Sequence, residues 1–169
     1  MIGELLAQSW AVPPSSFLKP HPLPADSLDP LSYYRGCFLE RSSITESEGW
    51  TWKVPDWRRI PGGKRPRFAR VPMFCANRPG SQFKLSFTGT AIGTYIVGGP
   101  DAGFIDVVID RGAPRRVRLA GAHSHDLNDP WTRIFSGTLK DGEHVLEVSF
   151  PDIPKNLGKV ARLMYFVAN

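Results

Sequence analysis

Between Phe83 and Asp110 the chain reads FKLSFTGTAIGTYIVGGPDAGFIDVVID, three runs of alternating apolar and polar residues separated by turn residues. A period of two places every second side chain on the same face of a strand, so each run buries one face and wets the other. Gly-Pro-Asp-Ala-Gly at 99–103 supplies turn chemistry between two of them. A chain built this way has few options besides a half-buried antiparallel sheet.

The same signals continue on both sides. Cys37-Phe38-Leu39 and Phe68–Ala76 are short candidate strands, with Pro72 marking the second as an edge or a bulge. Arg115–Leu119 follows a turn at Asp110–Pro114 and pairs back as a hairpin. Trp131–Phe135 is short, His144–Phe150 puts Leu146, Val148 and Phe150 on one face, and Ala161–Ala168 is a strongly apolar closing strand. Trp50–Arg67, Gly121–Pro130 and Pro151–Lys159 read as loops. Sixteen glycines and sixteen prolines are more than a helical protein tolerates, which agrees with many short strands. The expected fold is all-β: a β-sandwich of jelly-roll type over 33–169, which resembles galactose-binding-like domains in shape.

Residues 1–32 differ. Ile2, Leu5, Leu6 and Trp10 suit one face of a helix, which Pro13-Pro14 stops. Pro20, Pro22, Pro24 and Pro30 then make a semi-rigid, proline-rich linker. The first residues lack a basic start and a continuous apolar core, so they do not read as a signal peptide. No apolar run approaches the roughly 20 residues that span a bilayer. Cys37 and Cys75 are the only cysteines; they are either a pair or two free thiols, and the compartment is left open.

The net charge of +5 is concentrated. Lys53, Arg58, Arg59, Lys64, Arg65, Arg67 and Arg70 face a single acid, Asp56. A basic loop beside tryptophans has the ingredients for nucleic acid, through phosphate pairing and base stacking. No DNA- or RNA-binding motif surrounds it, however, and the favoured reading is a solvated face or a contact to an acidic neighbouring domain.

Several of these segments carry a resemblance. FTGTAIGTYIVGGPDAGFIDVVID, the Asp129-Pro130-Trp131 turn, LKDGEHVLEVSF and KVARLMYFVAN resemble the C-terminal β-sandwich domain attached to many bacterial SGNH (GDSL-type) hydrolases. MIGELLAQSW is similar to the last helix of the hydrolase domain before it. The chain departs from that pattern at Asp110-Arg111-Gly112, where Asp-Gly-Gly is usual, and around His123, His125 and Asn128. The resemblance implies an accessory domain without a catalytic one, since the Gly-Asp-Ser nucleophile block is missing. Its implied partners are carbohydrate, an SGNH-type catalytic domain or a second copy of the chain. No enzyme activity and no cofactor are expected.

Three constellations remain as candidate sites. Trp50, Trp52, Trp57 and Trp131 are the candidate sugar platform, because flat aromatics stack on pyranose rings. Trp50 and Trp52, at i and i+2, share a face of an extended segment, which suits packing over the sandwich edge equally well. His123, His125, Asp126 and Asp129 are weak candidate metal ligands, and Asp101 with Asp106 a weaker calcium pair. Asp141-Gly142-Glu143-His144 matches the Asp-x-x-His of an acid–base pair, but reads better as a β-turn opening a strand.

Overall fold

The computed structural model describes residues 2–11, 29, 32–152, 154 and 158–169. The prolines expected to form a linker, and the Pro13-Pro14 helix stop, lie outside the described residues, as does part of the 151–159 loop. The chain separates into two compact units, Met1–Ser32 and Tyr33–Asn169. In the first, α1 (Ile2–Ala11) carries Ile2, Leu6 and Trp10 at helical spacing, all exposed.

In the second unit, twelve strands among the described residues form two sheets. The larger runs β3 (Thr51–Lys53), β5 (Met73–Ala76), β12 (Ala161–Ala168), β7 (Ile92–Gly98), β10 (Leu127–Ser136) and β4 (Gly63–Lys64). Strand β1 (Cys37–Phe38) joins β12 beyond the end of β5. The smaller sheet runs β2 (Ile44–Glu48), β6 (Gln82–Thr88), β11 (Glu143–Ser149), β8 (Phe104–Ile109) and β9 (Arg115–Arg118). Its strands pair antiparallel throughout, whereas β4 lies parallel to β10. From β5 onward the chain crosses between the sheets at every step except the β8–β9 hairpin. The orders β5-β12-β7-β10 and β6-β11-β8-β9 are those of a jelly roll.

Alternation decides which residues enter the interior. Phe83, Leu85 and Phe87 of β6, Ile105 and Val107 of β8, and Leu146 and Val148 of β11 point inward from one sheet. Phe74, Ile92, Ile96, Leu163 and Phe166 meet them from the other. Phe83 is the hub of an aromatic cluster, its ring 5.0 to 5.5 Å from those of Trp50, Phe74 and Phe166. Burial on this scale is the main source of the sandwich's stability.

Strand β12 has the bounds expected of the apolar closing strand; it lies mid-sheet and also buries a charged residue, Arg162. Strand β10 is longer than the expected Trp131–Phe135. Trp50–Arg67 is not all loop, because β3 and β4 fall within it.

That segment builds a second, smaller core. Both faces of β5 are buried: Phe74 and Ala76 face the sandwich interior, while Met73 and Cys75 face outward with Val97 and Met164. Residues 54–72 fold across this outer face as a strap and cover it with Trp57, Phe68 and Val71. Here burial pushes the Cys75 thiol up to about 11, outweighing the attraction of Lys53 and Arg162. Cys37 is exposed and Cys75 buried, and both are free thiols.

Candidate ligand-binding surfaces

Each sequence candidate now has a position. The four tryptophans do not line one platform. Trp50 is 6% exposed and belongs to the core. Trp52 lies 5.0 Å from Phe74 in a stacked arrangement, and the Arg41 guanidinium sits over its ring at 4.1 Å. The shared face expected of Trp50 and Trp52 is real, since both rings contact Phe74, but it points into the protein. Trp57 is on the strap, its Nε1 donating to the Ala69 carbonyl at 3.0 Å, and Trp131 packs against the main core from β10. Trp50 is buried, whereas Trp52, Trp57 and Trp131 are half-buried, packed against Phe74, the strap and the main core respectively.

His125 leans on Asp126 at 3.5 Å and on the Ala122 carbonyl, while Asp129 pairs with Arg65 at 3.2 Å. Among the described residues, no three His, Cys, Asp or Glu side chains converge as a metal site. Asp101 and Asp106 lie apart, each against an arginine: Asp101 grips Arg162, and Asp106 accepts two hydrogen bonds from Arg116 at 2.8 Å. The Arg116 hydrogen bonds hold the Asp106 carboxyl below its usual value.

In Asp141–His144, the aspartate pairs with Arg35 at 3.0 Å rather than with the histidine. Both ring nitrogens of His144 are occupied, Nδ1 by the Asp110 carboxylate and Nε2 by the Lys140 carbonyl, so neither faces a hydroxyl. Asp110 opens the β8–β9 turn at φ 50°, followed by Arg111 at φ 60°. Both lie in the left-handed region that a type I′ hairpin requires.

Two surfaces emerge that motif reading did not isolate. The first is the outer face of the smaller sheet. Register places Glu46, Lys84, Glu147 and Val108 in one row across it, and Glu48, Gln82, Ser149 and Asp106 in the next. These rows floor an open groove of about 530 Å³, which continues past Ser86 and Val145 toward Asp110. Lys84 is paired with Glu46 at 3.1 Å, whereas Glu48 and Glu147 have no polar partner among the described residues. Such a floor offers hydrogen-bond acceptors and donors beside the exposed Val145 and the half-buried Val108. The outward positions of alternating strands were the available signal, but it could be read only once the strand order was known.

The second is the strap on the opposite face of the sandwich. A buried polar latch holds it down. Arg162, 3% exposed, binds Asp101 with both terminal nitrogens and Asn128 Oδ1 at 3.2 Å. Asn128 Nδ2 in turn donates to the strap carbonyls of Pro61 at 2.8 Å and Gly63 at 3.1 Å. The Arg162 guanidinium also faces the Trp57 ring at 5.8 Å. Asn128, noted in the sequence only as a departure from the family pattern, is the link between sheet and strap.

No protein-family model matches the sequence, and no curated protein matches it either. Solved structures do resemble its fold. A two-domain esterase (CEX) active on acetylated mannans matches 99% of this chain and 44% of its own, with a TM-score of 0.62 and 13% identity. A family two carbohydrate esterase from Cellvibrio japonicus matches 79% of this chain and 32% of its own, with a TM-score of 0.52 and 14% identity. An exo-beta-1,3-galactanase from Phanerochaete chrysosporium matches 78% of this chain and 29% of its own, with a TM-score of 0.50 and 14% identity. The shared feature is the fold. The chain spans less than half the length of each of these carbohydrate-active proteins.

Proposed function

We propose that this sandwich is a non-catalytic accessory domain of a carbohydrate esterase of SGNH type, holding a glycan chain along the groove of its smaller sheet. The observation that carries the reading is the groove itself: a long, open, sheet-floored channel with Gln82, Glu147 and Ser149 free to bond sugar hydroxyls. Its length suits a polymer better than a single sugar. The likeness of the fold to part of an esterase active on acetylated mannans supports the class of ligand, and the SGNH assignment rests on the sequence resemblance.

Affinity electrophoresis through gels containing acetylated mannan tests it. Retardation of the native protein, relieved by Gln82→Ala with Glu147→Ala, is the expected result. Unchanged migration with and without the polymer would remove the groove's role. Hydrolysis of a simple acetyl ester that disappeared in His144→Gln would overturn the non-catalytic part.

A second reading has its own observation. Phe38, Ile134 and Tyr165 expose apolar side chains beside the strap, next to an apolar pocket of about 240 Å³ floored by Ile92, Gly93 and Val167. Phe38 and Tyr165 meet edge-on at 5.4 Å. An exposed apolar patch of this kind suits packing against a catalytic domain or another copy of the chain. On that reading the domain shapes an assembly and has no ligand of its own.

A further inference from the structure

Lys53 stands at the start of the strap, which carries Arg58, Arg59, Lys64, Arg65 and Arg67, then Arg70 at its return, and every one of these residues is exposed. Asp56 pairs with Arg58 and Arg59, and Asp129 with Arg65. Lys53, Lys64, Arg67 and Arg70 have no acidic partner among the described residues.

The sheet order fixes how these charges are spread. The strap leaves β3 at one edge of the larger sheet, reaches β4 at the other edge, and returns to β5. Five inter-strand steps of about 4.8 Å separate β3 from β4, so Lys53 and Lys64 bracket a track of about 24 Å. The track is held in place. The Arg162–Asn128 latch fastens its middle, the Trp57–Ala69 hydrogen bond closes it on itself, and Phe68 and Val71 anchor its return. Cations on a pre-set surface bind an extended polyanion without first paying the entropy of ordering the loop.

The chemistry narrows the class of polyanion. Five of the seven cations are arginines, whose planar forks match carboxylates in pairs. Single-stranded nucleic acid needs free aromatic faces, and here they are taken. Arg41 covers Trp52, Arg162 and the sheet hold Trp57, and Arg67 lies over Phe68 at 5.0 Å. No described helix in this unit is long enough to enter a DNA groove. The groove on the far face carries Glu46, Glu48, Asp106 and Glu147, so a chain of carboxylates is repelled there and drawn to the strap.

We propose that the strap is a binding track for an acidic polysaccharide, a chain of uronate sugars whose carboxylates pair with its arginines and lysines. The proposal goes beyond the groove's role, uses the opposite face, and rests on the carbohydrate reading only in the choice of a polysaccharide.

The test compares retention of the full chain in gels of polygalacturonate, of the same polymer fully methyl-esterified, and of acetylated mannan, with oligo-dT as a competitor. The expected result is binding to polygalacturonate alone of the first two, weakening steeply with salt. Binding should fall at least tenfold in Lys53→Glu/Lys64→Glu/Arg70→Glu. A control of equal charge change, Arg78→Glu/Arg118→Glu/Lys159→Glu, should retain it within about twofold. Equal loss in both triple variants would overturn the track, reducing it to net charge. Equal retention by the esterified polymer, or displacement by oligo-dT at lower concentration than by polygalacturonate, would also overturn it. Retention by acetylated mannan alone overturns this inference while leaving the groove reading intact.

Discussion

His144 Nδ1 lies 2.6 Å from Asp110 Oδ2, joining the start of β11 to the β8–β9 turn across 34 residues of sequence. Its Nε2 is 2.7 Å from the Lys140 carbonyl, so only the doubly protonated ring can donate to both acceptors. The side chain is 11% exposed and lies against Phe87 at 5.3 Å. Burial there works against the charged ring, but the Asp110 carboxylate and the Lys140 and Gly89 backbone outweigh it, and the His144 pKa is raised. The Val145 N–H, followed by His144 itself, lowers that of Asp110.

The signs fix a pH window. A raised histidine pKa contributes stability in full below the unfolded value of about 6.5 and loses it as pH rises through the folded value. A lowered aspartate pKa contributes above about 3.9 and loses it as pH falls through its own folded value. The pair is therefore strongest between about pH 4 and 6.5. Melting temperature should decline from about pH 6 to 8 more steeply in the native protein than in His144→Gln; parallel profiles would refute the link.

Asp101 is the counter-charge for a guanidinium that has almost no contact with water. Removing it in Asp101→Ala strands the Arg162 charge, at a cost of about 3–5 kcal/mol. The strap should loosen in the same variant, because Arg162 also orients Asn128. Trypsin offers a direct readout: cleavage after Arg58 or Arg59 should accelerate relative to other sites. Global unfolding with no selective cleavage of the strap would count against the latch.

Arg111 occupies a left-handed backbone position at φ 60°, where a side chain costs about 1–2 kcal/mol. Arg111→Gly relieves that strain, offset in part by the greater freedom of glycine in the unfolded chain. A net gain of about 0.5–1 kcal/mol in chemical denaturation is expected. A loss would mean that the arginine side chain makes a compensating contact.

Leu146 has no exposed surface, and β11 places it between Leu85 and Ile109 in register. Leu146→Ala should cost about 2–5 kcal/mol by leaving a cavity between the sheets. Its neighbour Val145, which faces outward and is 37% exposed, should tolerate threonine with little change. Urea titrations of the two variants would check the inward–outward assignment of the strand.

Much of this architecture was legible in the sequence because alternation is a local signal. Phe83–Asp110 displays its inward set without reference to anything distant, and the structure keeps it. Partnerships across the fold leave no such trace. Arg162 sits in an apolar run, and its partners Asp101 and Asn128 are 61 and 34 residues away. Trp50 and Trp57 are alike in composition and surroundings, yet one fills the interior and the other covers the outer face. Only the path of the strap separates them. Cross-strand rows such as Lys84 beside Glu147 depend on register, which the sequence specifies through the core but does not spell out.

Strand β12 has β7 along one flank, and β5 and then β1 along the other. It is also the last strand of the sandwich in sequence, so β5 and β7 wait as separate ribbons, each with one bare edge, until residue 168 has been added. The sandwich must therefore hold most of its apolar side chains unassembled until its final strand is made. At that stage it is a natural client for a chaperone that shields strand edges.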